Sequence, residues 1–281
     1  MKLFINGFIV MKKIVLLLNA TLPALHILQY GLSQARNSGC FLHIILVHDH
    51  LSLQEYDYPF PNDLSLTRNR LTGLSLVEED ILLVENNVSN VIHMCKTANI
   101  HCFIDPERSW TPEKLLECTS YADCLLADAD EDMQRLYMAE LLVHTHCPVL
   151  LLPKTFVQPA QVLLTYDGRS SALLALKMFA YIFPEYLALP TTLLHVSSGD
   201  ERAIPKEEAL RTLASTHYKA LEVKTIHGSA RTALPAYVSS LPSPIITMGS
   251  FGRNAVSRFF KKSIASVLIE QRKAAVFIAH D

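Results

Sequence analysis

The feature that most restricts how this chain can fold is an internal repeat. Lys13-Ile-Val-Leu-Leu-Leu-Asn19-Ala-Thr-Leu-Pro-Ala-Leu25 aligns without a gap on Gln161-Val-Leu-Leu-Thr-Tyr-Asp167-Gly-Arg-Ser-Ser-Ala-Leu173. In each copy an apolar run ends at a short polar residue, a small-residue turn follows, and a helical spacing of apolar positions begins. That is the signature of a buried strand, a turn and a helix. A chain of 281 residues, 50% of them hydrophobic, is long enough for two such units, each with its own core.

The rest of the chain keeps the same rhythm. Second strands are predicted at His43–His48 and Thr192–Val196. Variable, polar, partly helical stretches follow, 51–98 in the first half and 199–220 in the second. Third strands are expected near Ile100–Ile104 and Leu221–His227. Fourth strands are expected at Asp123–Ala127 and Pro244–Met248, and last strands at Val149–Leu152 and Val276–Ala279. Short apolar strands alternating with helices imply parallel pairing with right-handed crossovers, because each crossover helix covers a face of the sheet. The expected architecture is α/β: two tandem domains at 11–153 and 159–281, each a mainly parallel five-stranded sheet flanked by helices. They are joined by a connector bracketed by Pro153 and Pro159.

Composition narrows the function. A formal net charge of −2 gives no electrostatic reason to expect nucleic acid as the main partner. The six cysteines lie in the first half without a C-x-x-C pair, which reads as free thiols in a reducing compartment. No apolar run is long enough to span a bilayer. The opening segment superficially resembles a signal peptide, but Lys12 and Lys13 interrupt it and no clean cleavage site follows. A start of translation at Met11 and a cytoplasmic location are expected, with 1–10 as an extension. Histidines at 48 and 50, and at 144 and 146, supply no convergent set of three or four zinc ligands, so no metal is expected there. His195 lies inside an apolar strand and is expected to pack in the core. Trp110 is expected to pack locally.

The segment with the most chemistry is Met248-Gly-Ser-Phe-Gly-Arg-Asn-Ala-Val-Ser-Arg-Phe-Phe-Lys-Lys-Ser-Ile264. Gly249 and Gly252 permit a tight turn with exposed N–H groups. The helix start beside them favours anions. Arg253, Arg258, Lys261 and Lys262 make the segment positive, and Ser263 adds a hydroxyl. Together they read as a phosphate cradle at the carboxyl edge of a parallel sheet.

On these residues the second half resembles the universal stress protein family nearly end to end. The family's G-x2-G-x9-G-[S/T] loop is matched by Gly249, Gly252 and Ser263, with Lys262 in place of the third glycine. The resemblance implies an adenine-nucleotide-binding, Rossmann-like fold of the adenine nucleotide alpha-hydrolase kind. It implies ATP, alone or with Mg, bound in the second domain only. Asp167 and Val196 would hold the adenosine; Gly249, Gly252, Arg253, Ser263 and Ile264 would hold the phosphates; Gly228–Ala230 matches the turn before the fourth helix. No catalytic residue is implied, and hydrolysis is expected to be slow at most, since no base or arginine finger is evident. The family also implies that the two domains pair through their last strands as a pseudo-dimer, with a homodimer of chains compatible with that. An unidentified protein partner would read the bound state.

The first half lacks the equipment. Asn19 stands where Asp167 stands, and after the fourth strand the chain reads Asp128-Ala-Asp-Glu-Asp132 without glycines. Carboxylates there would repel a triphosphate. The cluster is expected to be a solvated acidic turn capping the next helix, with a divalent-cation site as the alternative. For the whole chain, the alternative to ATP binding is a nucleotide-free interaction or scaffold module of the same fold. An ATP pyrophosphatase, for which Gly168–Ser171 is a poor loop, is a further alternative.

Overall fold

A computed structural model describes residues 12–48, 65–105, 110–129, 139–197, 204–249, 268 and 274–279, together with the backbone of 4–5 and 8–9. At 65–77, 139–140 and 143 the description is of backbone alone. The elements of the first half are β1 (Phe4–Ile5), β2 (Phe8–Ile9), β3 (Lys13–Asn19), α1 (Leu25–Ser38), β4 (Phe41–Val47) and α2 (Ser65–Thr97). They continue with β5 (Cys102–Ile104), α3 (Pro112–Thr119), β6 (Cys124–Asp128), α4 (Ala139–His144) and β7 (Val149–Leu152). The second half runs β8 (Gln161–Tyr166), α5 (Ser170–Ile182), β9 (Thr191–Ser197), α6 (Glu207–His217), β10 (Leu221–His227), α7 (Ala230–Ser239), β11 (Pro244–Gly249) and β12 (Ala275–Ala279).

Ten strands form one sheet in the order β10-β9-β8-β11-β12-β7-β6-β3-β4-β5, and β1 and β2 form a separate antiparallel pair. Every pairing in the large sheet is parallel except one. Val276, Phe277 and Ile278 of β12 face Leu151, Leu150 and Val149 of β7 in antiparallel register. The order outward from that junction is the same on both sides, so in each set of five parallel strands the order of addition reverses once, between the first and fourth strands. β6, β7 and β12 are buried along their whole length. This is why they read as unbroken apolar runs: helices cover both faces of a parallel sheet, leaving no polar alternation.

Two apolar layers flank the sheet. One packs Leu16 and Leu18 of β3 against Ile27 and Leu28 of α1, Val91 and Cys95 of α2, Leu176 and Phe179 of α5, and Ala214 of α6. The other packs Val15 and Leu17 against Leu115 of α3, Leu141 of α4 and Leu234 and Val238 of α7. Both layers draw residues from both halves. Within the second half Phe277 packs edge-on to Phe179 at 5.3 Å, and across the junction Tyr30 shares a buried hydroxyl contact with Tyr186 at 3.1 Å. Lys12 Nζ donates to the Ile182 carbonyl at 2.6 Å. Phe156 of the connector stands edge-on to Tyr30 at 5.2 Å.

Local chemistry sets the element ends. α1 stops at Gly39, whose φ of 70° is left-handed and whose N–H donates to the Ala35 carbonyl. Thr111 caps α3 through its hydroxyl, with Pro112 at the first helical position. Pro184 follows the end of α5. Within the stretch expected to be partly helical, 65–97 is one helix of 33 residues. The third strand of the first half is shorter than expected, starting at Cys102 because a left-handed residue, Asn99, ends the preceding helix.

Of the described residues singled out in the first half, Asp128 departs from expectation and the others do not. Asp128 is not on a solvated turn: it closes β6 and is 4% exposed. His48 bonds Asp80 through Nε2 at 2.5 Å. Trp110 is buried among the residues around Leu115. All six cysteines are unbridged. Among the described residues no helix is long and apolar enough to cross a membrane.

Candidate functional site

In the second set the order in which strands are added reverses between the parallel neighbours β8 and β11. In open parallel sheets the crevice at the carboxyl ends of such strands is where ligands bind, because the two connections leave in opposite directions and part there. Here β8 ends at Tyr166 and the chain turns through Asp167 and Gly168 into α5. Gly168 has φ of 90°, a left-handed value that favours glycine. The Arg169 N–H donates to Asp167 Oδ1 at 3.1 Å, so the aspartate shapes the turn before α5. Its other oxygen lies 3.6 Å from Arg169 Nε, and both side chains are more than half exposed.

Gly249 closes β11. A Cβ at this position would stand 2.4 Å from the Ala172 nitrogen and 2.5 Å from the Ser171 carbonyl carbon. Glycine is required because the start of α5 lies against the strand end. A hydrogen bond from Thr165 Oγ1 to the Thr247 carbonyl at 2.9 Å ties β8 to β11 just below. His195 Nδ1 lies 2.8 Å from the Tyr166 carbonyl, which accepts its proton. Gly228, with φ of 128°, carries the chain from β10 into α7, and its N–H donates to the Ser197 carbonyl at 3.0 Å.

These elements enclose a cleft. Its floor and walls are Thr165, Ala172, Leu194, Leu234 and Met248, and its rim is Tyr166, Asp167, Val196, Ala230 and Gly249. The enclosed volume is about 90 Å³. That is room for a few waters at about 30 Å³ each, so the described walls form the base of a site. They form an apolar slot with one exposed carboxylate, Asp167, at its edge. Burial and the neighbouring Asp167 push the Tyr166 phenol above its ordinary value, so its hydroxyl stays protonated.

Of the residues singled out from sequence, Asp167, Val196 and Gly249 come together in this cleft, with Ala230 beside them. Gly252, Arg253, Ser263 and Ile264 lie outside the described residues, as does Lys262. Sequence reasoning missed Thr165, Ala172, Leu194, Leu234 and Met248. Ala172 and Leu234 lie on α5 and α7 and the other three on β8, β11 and β9; apart from Thr165 they are buried apolar residues, and nothing in the sequence separates them from the rest of the core.

The first half builds the same crossing and lays polar side chains across it. Asn19 Oδ1 accepts from the N–H groups of Thr21 and Leu22 and from the Thr21 hydroxyl, at 2.8, 3.1 and 2.7 Å. Asn87 of α2 reaches over and donates to the carbonyls of Ala20 and Thr21, both at 2.9 Å. Asp128 occupies the register position of Gly249, with His26 Nε2 3.5 Å from its carboxylate and 3.2 Å from the Leu152 carbonyl.

No protein-family profile and no curated protein matches the sequence. Solved structures do match the fold. A universal stress protein from Archaeoglobus fulgidus is similar at a TM-score of 0.63 and 15% identity, over 95% of this chain and 96% of that one. A candidate universal stress protein from Pseudomonas aeruginosa is similar at 0.59 and 14% identity, over 96% and 94%. A protein of unknown function from the same species matches at 0.55 and 14%, over 96% and 93%. At this level of identity the likeness speaks to architecture alone: over nearly its whole length the chain has the universal stress protein fold, a mostly parallel α/β sheet of the adenine nucleotide alpha-hydrolase kind.

Proposed function

We propose that this protein is a cytoplasmic stress-response protein that binds ATP or a related adenine nucleotide in its second half and signals through its bound state. The observation that carries the reading is the convergence of Asp167, Val196 and Gly249 on one cleft at the strand-order reversal of a parallel sheet. In this reading the adenine lies in the apolar slot and the ribose hydroxyls donate to the Asp167 carboxylate. Gly252, Arg253, Ser263 and Ile264, with Lys262 nearby, take the phosphates. Among the described residues no group in the cleft is placed to activate water, and in this reading hydrolysis is slow and occupancy is the output. The units 11–153 and 159–281 act as two domains paired through β7 and β12, a pseudo-dimer within one chain, and only the second is loaded.

Calorimetric titration of nucleotide-stripped protein with Mg-ATP tests this. The expected result is about one ATP per chain, lost in Gly252→Asp and weakened in Asp167→Ala. No heat and no change in melting temperature at millimolar ATP would reject the nucleotide and leave a scaffold module of the same fold.

A further inference from the structure

Far from the cleft, the end of α2 delivers a pair of cysteines to one place. The helix stops in a Schellman turn. The Ile100 N–H donates to the Cys95 carbonyl at 3.2 Å, the Asn99 N–H donates to the Lys96 carbonyl at 3.0 Å, and Asn99 has a left-handed φ of 53°. In this motif the residue whose carbonyl takes the outer bond packs beside the chain as it leaves the helix. That residue is Cys95. Two residues beyond Ile100, on the same side of an extended strand, comes Cys102, whose thiol donates to the Ile100 carbonyl at 3.6 Å. Cys95 is 5% exposed and Cys102 packs partly buried against the same apolar layer.

We propose that Cys95 and Cys102 are a peroxide-reactive dithiol that closes to a disulfide, pinning the carboxyl end of α2 to the edge of the sheet. The thiolate of Cys95 attacks one peroxide oxygen and becomes a sulfenic acid while the other oxygen leaves as hydroxide. The Cys102 sulfur then attacks the sulfenic sulfur, expelling the second hydroxide. Over the two steps two thiols and one hydrogen peroxide give one disulfide and two waters.

The division of labour follows from the contact between the two sulfurs. The two thiols are in hydrogen-bond contact, and that contact holds the Cys95 pKa below the ordinary thiol value. The same contact, with burial, pushes Cys102 up. Cys95 is therefore the thiolate that attacks first. Once it is oxidised the interaction that held the Cys102 proton is gone, and Cys102 can serve as the resolving thiol. By contrast, burial pushes Cys40, Cys118, Cys124 and Cys147 up, which makes them inert. Access is available because β5 is three residues long, pairs only with β4 and forms the end of the sheet. Such an element opens at low cost.

The test uses the full folded chain. It is treated with one equivalent of hydrogen peroxide, trapped with N-ethylmaleimide under denaturing conditions, and read by intact mass and peptide mapping. The expected product carries four of its six cysteines alkylated, with the missing pair recovered as a Cys95–Cys102 peptide that dithiothreitol releases. Cys102→Ser should leave a dimedone-reactive Cys95, Cys95→Ser should leave none, and Cys40→Ser should still form the bridge. Full alkylation of Cys95 and Cys102 after peroxide, or a bridge that uses Cys40, would overturn the proposal. Because the decisive measurement is made on the unmutated protein, a variant that misfolds does not blur it.

Discussion

The two strand-order reversals of this protein share one backbone plan and opposite contents. Where β8 and β11 part, the chain leaves a cleft under Asp167 and Gly249. Where β3 and β6 part, it puts its own side chains: Asp128 against His26, and Asn87 of α2 bonded to the loop after Asn19. Asn19 and Asp167 behave alike, each offering one side-chain oxygen to the N–H two residues on. The polar residue after the first strand is therefore explained by its turn in both halves. What separates the halves is the fourth strand's last residue, a glycine against which α5 can lie or a carboxylate that needs a histidine.

The largest test of that contrast is Gly249→Asp, which writes the first half's residue into the second. With a Cβ only 2.4 Å from the backbone of Ala172, we expect a loss of about 3 kcal/mol in urea unfolding, at the upper end for overpacking. The same variant should erase any ATP-induced rise in melting temperature. Next is His26→Ala. It removes one partner from the nearly buried Asp128 carboxylate, and a loss of about 2 kcal/mol is expected from the denaturation midpoint. A stability unchanged by this substitution would mean that the first crossing is not held by its own charge pair. Asn87→Ala removes two hydrogen bonds to the Ala20 and Thr21 carbonyls. It should cost about 1–2 kcal/mol and raise amide exchange in 20–22.

A smaller effect separates the halves by acid. His43 on β4 stands at the register position of Thr192 on β9 and is held neutral by burial, which lowers its pKa despite a 3.1 Å hydrogen bond to Asp105. Below its unfolded pKa near 6.5 the unfolded chain takes up a proton that the folded chain resists. Stability present above that pH is therefore lost as pH falls through it. Hydrogen exchange at pH 5 should show β4 and β5 loosening before β8 and β9, and His43→Phe should flatten the dependence. The smallest effects belong to the matched pair. Asn19→Asp and Asp167→Asn each keep the turn-making oxygen, so each should change stability by no more than about 0.5 kcal/mol. Under the proposed function Asp167→Asn should still weaken ATP about tenfold, some 1.4 kcal/mol, through the lost charge alone.

Much of the fold could be read directly. β3, β7, β8 and β11 lie within a residue of the apolar runs that predicted them, because strands buried on both faces leave nothing polar to confuse the pattern, and β10, half exposed at the end of the sheet, also keeps its expected bounds. β5 was harder: its Cys102-Phe-Ile104 is half exposed at the sheet's end, and its start depends on how α2 stops. That Asp167, Val196 and Gly249 share one edge of the sheet could be read in advance because each stands at or next to the end of a predicted strand. Leu194, Leu234 and Met248 could not be read so, since an apolar residue facing a crevice has the same sequence signature as one facing a helix. Asp128 was misread as solvated because its partner, His26, is on a helix from the start of the chain.

By itself the sequence determined the repeat, the parallel α/β class and the place where the chemistry of each half differs. Those depend on local periodicity and on residue type at aligned positions, which need no knowledge of distant neighbours. Only the tertiary structure decided that Asn87 and His26 are bonded across the first crossing, that Gly249 serves helix packing, and that Cys95 meets Cys102. Each of these turns on a contact of a few ångströms between elements, and such contacts exist only after the crossovers and the end of α2 have set where the backbone goes.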